Sequence, residues 1–209
     1  MPCRYSKVEP GDIRVMSFNL WYSGGKAGQN KKVTKLSQFL GGEDEVSSFS
    51  NRVENVKNLL DNKRFQRWIY ESDKVPLFIC GDFNTPTHLD WVESTKDTHG
   101  GWVYEWPATK LLQDSTGLAD AYRVKYPDPK KNPGYTWSTV QKFEWDWNNT
   151  IPEPQDRIDF IYFKKELFDV KHAFTYCGNT TLQPIPNEYK NDYPSDHYAV
   201  VGDFNYKKT

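Results

Sequence analysis

Leu77-Phe78-Ile79-Cys80-Gly81-Asp82-Phe83-Asn84 is the stretch whose reading decides the fold. A short continuous apolar run closed by glycine reads as a buried strand entering a turn. A buried, reduced thiol is the expectation for Cys80 inside such a run. The turn carries Asp82 and Asn84, so polar side chains gather where the strand leaves its sheet.

The same junction recurs along the chain. Ile13 to Tyr22 alternates apolar and polar residues as a strand ending near Asn19. Ile158–Phe163 and Tyr198–Val201 read as two further strands, preceded by Asp156-Arg157-Ile158-Asp159 and Ser195-Asp196-His197. Two polar clusters therefore follow their strands and two precede them. Strands running in opposite senses would bring all four clusters to one sheet edge.

Helical spacing fills the intervals. Val33, Leu36, Phe39 and Leu40 share one face of a lysine-rich stretch that Gly41-Gly42 would stop. A second helix is predicted from Asn51 as N-cap, with Glu54 completing a capping box. Its apolar stripe is Val53, Val56, Leu59 and Leu60, continuing after a kink through Phe65, Trp68 and Ile69. Leu111-Leu112 and Leu118-Ala119-Tyr122 suggest short helices, broken by Pro127 and Pro129. Residues 127–154 read as a long ordered loop of the kind that often carries function. No repeat or linker interrupts the pattern, so residues 1–209 are expected to form a single α/β domain.

Composition narrows the function classes. With 27 Lys+Arg against 28 Asp+Glu the chain lacks the basic excess of a general nucleic-acid coat protein. A local pocket gripping one phosphate stays open. Aromatic residues reach 16%, in clusters such as Trp102-Val103-Tyr104-Glu105-Trp106 and Phe143-Glu144-Trp145-Asp146-Trp147. Such ridges line sugar, base or lipid sites, but more often pack loops onto the domain. Three cysteines (Cys3, Cys80, Cys177) provide no disulfide framework, which leans toward an intracellular protein. No stretch is apolar enough for a signal peptide or a membrane span.

Asn, Asp and His meeting at one edge is what metal-assisted phosphate chemistry needs. Hard oxygen donors hold Mg²⁺, a carboxylate readies water, and an imidazole shares charge. Each cluster alone is a weak signal, and the sequence contains its own control. Gly202-Asp203-Phe204-Asn205 repeats the letters of Gly81-Asp82-Phe83-Asn84 near the C-terminus, where no function is expected. Only the order of all four clusters raises the odds.

In that order, Ser17-Phe18-Asn19, Gly81-Asp82-Phe83-Asn84, Asp156-Arg157-Ile158-Asp159-Phe160 and Ser195-Asp196-His197 resemble the motifs of the endonuclease/exonuclease/phosphatase family. The flanks Asn84–Trp91, Asp120-Ala121-Tyr122-Arg123 and Pro133-Gly134-Tyr135-Thr136-Trp137 resemble one of its branches. The resemblance implies a two-sheet sandwich flanked by helices, a four-layer α/β/β/α arrangement, here incomplete. It implies a phosphoesterase using Mg²⁺ or Mn²⁺. Asn19 and Asp196 would hold the metal, and Asp82 would orient or deprotonate water. Asn84 would donate to a phosphate oxygen, and His197, set by Asp159, would contact phosphate or act as acid/base. Arg157 would bind substrate or, equally, form a structural ion pair. The implied substrate is a small phosphorylated compound or phosphodiester, with long nucleic acid less favoured on charge.

Two parts of the family pattern are missing. The strand ending in a metal-binding Glu, between the first strand and Gly81, is absent, as is a later strand ending in a catalytic His. Glu43 and Glu45 are the nearest carboxylates, in what reads as a solvated turn, and His88 and His99 do not match the lost His by position. The alternative is a non-catalytic binding module that kept the fold, or more remotely a carbohydrate-binding domain built on the tryptophan-rich loops.

Overall fold

The computed structural model describes residues 11–19, 48–144 and 148–207. The lysine-rich helix, the Glu43–Glu45 turn, Trp145 and Trp147 lie outside these residues. Among the described residues, six strands form two antiparallel sheets: β1 (Ile13–Ser17), β6 (Ala199–Tyr206) and β5 (Phe168–Tyr176) in one, β2 (Phe78–Asp82), β4 (Asp159–Phe163) and β3 (Ala119–Asp120) in the other. β5 escaped the sequence reading, because its alternation is interrupted by a bulge between Val170 and His172.

The two sheets face each other across Ile161, Phe163, Phe168, Ala173, Val200 and Phe204, with Ile13, Val15 and Phe78 packed alongside. The other face of the second sheet carries Phe160 and Tyr162 against three helices, α1 (Ser48–Asp61), α2 (Lys63–Glu71) and α3 (Pro107–Thr116). β4 is therefore buried along its whole length, which is why it reads as unbroken apolar sequence. The short α4 (Ala121–Lys125) starts on Asp120, whose carboxylate accepts from the Tyr122 and Arg123 amides, and contributes Ala121 and Tyr122 to the core between the sheets. The chain is an α/β two-sheet sandwich with its broad helix layer, among the described residues, on one side.

Local details correct two expectations and add a cause to a third. α1 begins at Ser48, so Asn51 lies inside its first turn rather than capping it. The kink is real, but its agent is Asn62, whose side chain caps α2 by accepting from Arg64 N at 3.0 Å and Phe65 N at 3.2 Å. Cys80 is exposed, not buried. β2 pairs only with β4 among the described residues.

Candidate active site

The register explains why the polar clusters meet. β1 runs antiparallel to β6 with Ser17 opposite Val200, so the residues after β1 face those before β6. β2 runs antiparallel to β4 with Asp82 directly opposite Asp159. Two carboxylates facing each other across a strand pair disfavour the fold. The rest of the site compensates. His197 Nδ1 lies 2.8 Å from Asp159 Oδ2, and its Nε2 3.9 Å from Asp82 Oδ2. Asn19 Nδ2 donates to Asp82 Oδ2 at 2.9 Å and lies 3.2 Å from His197 Nε2. Asn84 N donates to Asp82 Oδ1 at 2.7 Å. That bond depends on Asn84 adopting φ 47°, a left-handed conformation that asparagine tolerates better than most residues.

Burial and mutual charge tune these groups. Asp82 is pushed up to about 6, first by burial and then by the charge of Asp159, against the opposing pull of His197. Burial would lower His197, but its hydrogen bond to Asp159 and the charges of Asp159, Asp82 and Asp196 outweigh this and raise it to about 9. With Nδ1–H on Asp159, the neutral ring accepts from Asn19 at Nε2. Protonated, the ring directs an Nε2–H toward Asp82 or a substrate oxygen.

The frame around the dyad comes from residues that sequence reasoning did not assign. Thr136, fully buried, accepts on its hydroxyl from Ile158 N at 2.9 Å and Asp159 N at 3.0 Å. Its carbonyl accepts from Tyr198 N at 2.7 Å. One residue thus fixes the backbone beside both Asp159 and His197. Trp137 bridges Asp156 on one side and His197 on the other, and its ring sits 4.9 Å from the imidazole. Ser195 Oγ donates to the Asn19 carbonyl and accepts from His197 N at 3.0 Å. The only available signal was Pro133-Gly134-Tyr135-Thr136-Trp137, a flank whose role no spacing argument could assign.

The structure thus brings Asn19, Asp82, Asp159 and His197 together, with Asn84 at the rim through its backbone. Asp82, Asp159 and His197 offer ligand atoms all within 4.8 Å of one another. Asp159 Oδ1 is buried with no hydrogen-bond partner among the described residues, an acceptor that a cation could satisfy. This donor set fits a divalent ion, although it is not the expected pair. Asp196 is half-buried and acts on His197 through its charge, but it does not join that group.

Of the two readings open for Arg157, its geometry is that of the structural ion pair. Its side chain is 1% exposed, with Nε 2.9 Å from Asp90 and Nη1 2.6 Å from Asp120. Asp203 of the repeated motif also lies outside the site. It sits within β6, opposite Arg14, and six residues of strand place it roughly 20 Å from His197.

No family model matches the chain. It is 44% identical over 196 residues to an uncharacterized protein of Caenorhabditis elegans, covering 93% of this chain and 60% of that one. Human nocturnin is 30% identical over 139 residues, 66% of this chain and 26% of its own length. The CCR4-Not complex 3'-5'-exoribonuclease subunit Ccr4 of Yarrowia lipolytica is 28% identical over 175 residues, 79% of this chain and 22% of its own. Among solved structures, the human nocturnin catalytic domain with bound sulfate anion aligns with 79% of this chain and 44% of that one, at 21% identity and TM-score 0.45. The chain thus spans 60% or less of each relative's length.

Proposed function

We propose that this chain is a member of the endonuclease/exonuclease/phosphatase family and that it hydrolyses phosphoester bonds with the help of a divalent metal. The observation that carries the proposal is the opposed pair Asp82 and Asp159, kept together at a sheet edge by His197 and Asn19. Two facing carboxylates, Asp159 fully buried and Asp82 half-buried, cost stability at a sheet end, and a cation between them would offset that cost.

Asp159, through Oδ1, would hold the metal, leaving Asp82 for the water and His197 Nε2 for the phosphate; when bound, the metal would supply Lewis-acid charge to a phosphoryl oxygen. The residues themselves do the rest. Asp82, raised to about 6 by burial and by Asp159, is matched to taking a proton from water near neutral pH. Asn19 and Asn84 N fix its two oxygens, so the carboxylate is oriented before substrate arrives. His197, aligned by Asp159, presents Nε2 to the phosphate and can donate its proton to the departing oxygen.

Turnover is expected to be slow and to need high metal concentration. No described glutamate joins Asp82, Asp159 and His197, so the donor set is short of negative oxygens for a small hard ion. The Ccr4 relative is by name an exoribonuclease subunit, which puts a ribose-containing phosphodiester beside the small phosphorylated compounds as substrate. The test is a Mg²⁺ and Mn²⁺ titration of phosphodiester hydrolysis by the purified chain and by Asp82→Ala. Hydrolysis that rises only at millimolar metal and vanishes in the variant is the expected result. Turnover saturating at submillimolar metal would overturn the account of the short donor set. No metal-dependent turnover at any concentration would favour a binding module.

A further inference from the structure

Beside the dyad's support lies a cavity of about 50 Å³ that the reaction above does not use, walled by Asp90, His99, Arg123, Tyr135, Asp156 and Arg157. We propose that it receives the hydroxyl-bearing edge of a sugar or polyol ring, the part of the substrate attached to the phosphate. The inference rests on the phosphoesterase reading and specifies what that site recognises.

The walls exclude other ligands. Arg123 spends Nε on Asp90 at 2.5 Å, Nη1 on the carbonyls of Tyr126 and Asn132, and Nη2 on that of Pro133. Arg157 is locked between Asp90 and Asp120. The guanidiniums are therefore committed, and the carboxylates of Asp90 and Asp156 repel an anion, leaving only the exposed Lys130 among the lining cations to meet one. The same guanidiniums repel a cation. Polar walls give an apolar group little reason to enter. A neutral group with both donor and acceptor remains.

One wall group asks for a partner. The His99 side chain is 8% exposed, its Nε2 lies 3.7 Å from Asp156 Oδ1, and its Nδ1 is buried without a hydrogen-bond partner among the described residues. The ring stacks on Trp91 at 4.4 Å and 15°, so that stack opposes its turning out to solvent. Trp91 Nε1 in turn donates to Asp156 at 2.8 Å. On the same measure about 10–15 Å³ admits one water, so the cavity has room for several hydroxyl-sized groups. A hydroxyl there could donate to Asp156 and satisfy His99.

Position links the cavity to the chemistry. Trp137 is paired to Asp156 on one side and His197 on the other. With neighbouring strands about 4.8 Å apart, Asp156 and His197 are roughly 10 Å apart along the backbone. That suits a ring bonded to a phosphate held at His197.

The experiment is NMR on the full chain, following the Trp91 indole N–H and the His197 ring with ribose, myo-inositol and phenyl phosphate as separate probes. Ribose or myo-inositol should shift the Trp91 signal, and which of them does so separates a nucleotide from a polyol source. His99→Phe, which keeps the stack on Trp91, should remove that shift. Asp156→Asn should weaken binding by about tenfold, and serves if the first variant does not fold. A Trp91 signal unmoved by both polyols, or a shift of full size in the variants, overturns the proposal. Phenyl phosphate reports separately at His197. If it leaves that ring unmoved while ribose shifts Trp91, the pocket stands and the phosphoesterase reading falls.

Discussion

Residues 81–84 and 202–205 have the same four letters, Gly-Asp-Phe-Asn, and opposite roles. In the first copy the aspartate ends its strand facing another carboxylate, with His197 and Asn19 as compensation. In the second the aspartate sits inside β6 opposite Arg14, which binds it through two bonds of 2.6 and 2.7 Å, with His172 at 3.3 Å. Phe83 packs toward the helices against Phe160 and Tyr162, whereas Phe204 is at the centre of the core between the sheets. Asn84 adopts a left-handed turn, while Asn205 continues a strand. Identical local sequence thus meets a like charge on the opposite strand in one copy and a cation in the other.

The largest expected effect separates the aspartates by activity. Asp82→Ala should lower metal-dependent hydrolysis by about 10²–10³-fold, the usual cost of one preorganised contact. Its melting temperature should hold or rise, because the repulsion with Asp159 is relieved. Equal activity loss in Asp82→Ala and Asp203→Ala, measured per folded molecule, would erase the distinction drawn between the two copies.

Thr136 serves the first copy alone. Thr136→Val keeps the shape but leaves the amides of Ile158 and Asp159 unpaired, at a cost of about 2–4 kcal/mol in denaturant unfolding. Thr136→Ser should recover most of that loss. Amide exchange at the Arg14–Asp203 end of β6 should stay unchanged in the valine variant under conditions where it is fully folded.

Asp203→Ala should instead cost stability, about 1–3 kcal/mol, since Arg14, 24% exposed to water, loses its two bonds to that carboxylate. Hydrolysis per folded molecule should match wild type. A stable Asp203→Ala protein would mean that the second aspartate is not the structural member of the pair.

The glycines give the smallest and sharpest contrast. A Cβ on Gly202 would stand 2.7 Å from the buried Phe204 ring, whereas one on Gly81 meets nothing within 4 Å. Gly202→Ala should therefore destabilise by about 1–3 kcal/mol through overpacking. Gly81→Ala should fall within about half a kcal/mol of wild type. Chemical denaturation of the two variants side by side would check both values.

The sequence determined which segments could be strands, since Ile13–Ser17, Phe78–Asp82 and Asp159–Phe163 are marked by apolar character alone. It also determined that Asn19, Asp82, Asp159 and His197 each adjoin such a segment, because strand ends are where polar residues break an apolar run. It hid β5, whose bulge spoils the alternation, and it read Cys80 as buried because apolar neighbours do not reveal a sheet edge. Only the tertiary structure decided which aspartate faces a carboxylate and which an arginine, because cross-strand register pairs residues far apart in the chain. It likewise made Thr136 the clamp of the dyad, committed Arg157 to Asp90 and Asp120, and left Asp196 outside the converging ligand atoms. Those choices depend on long-range packing, which local sequence pattern does not encode.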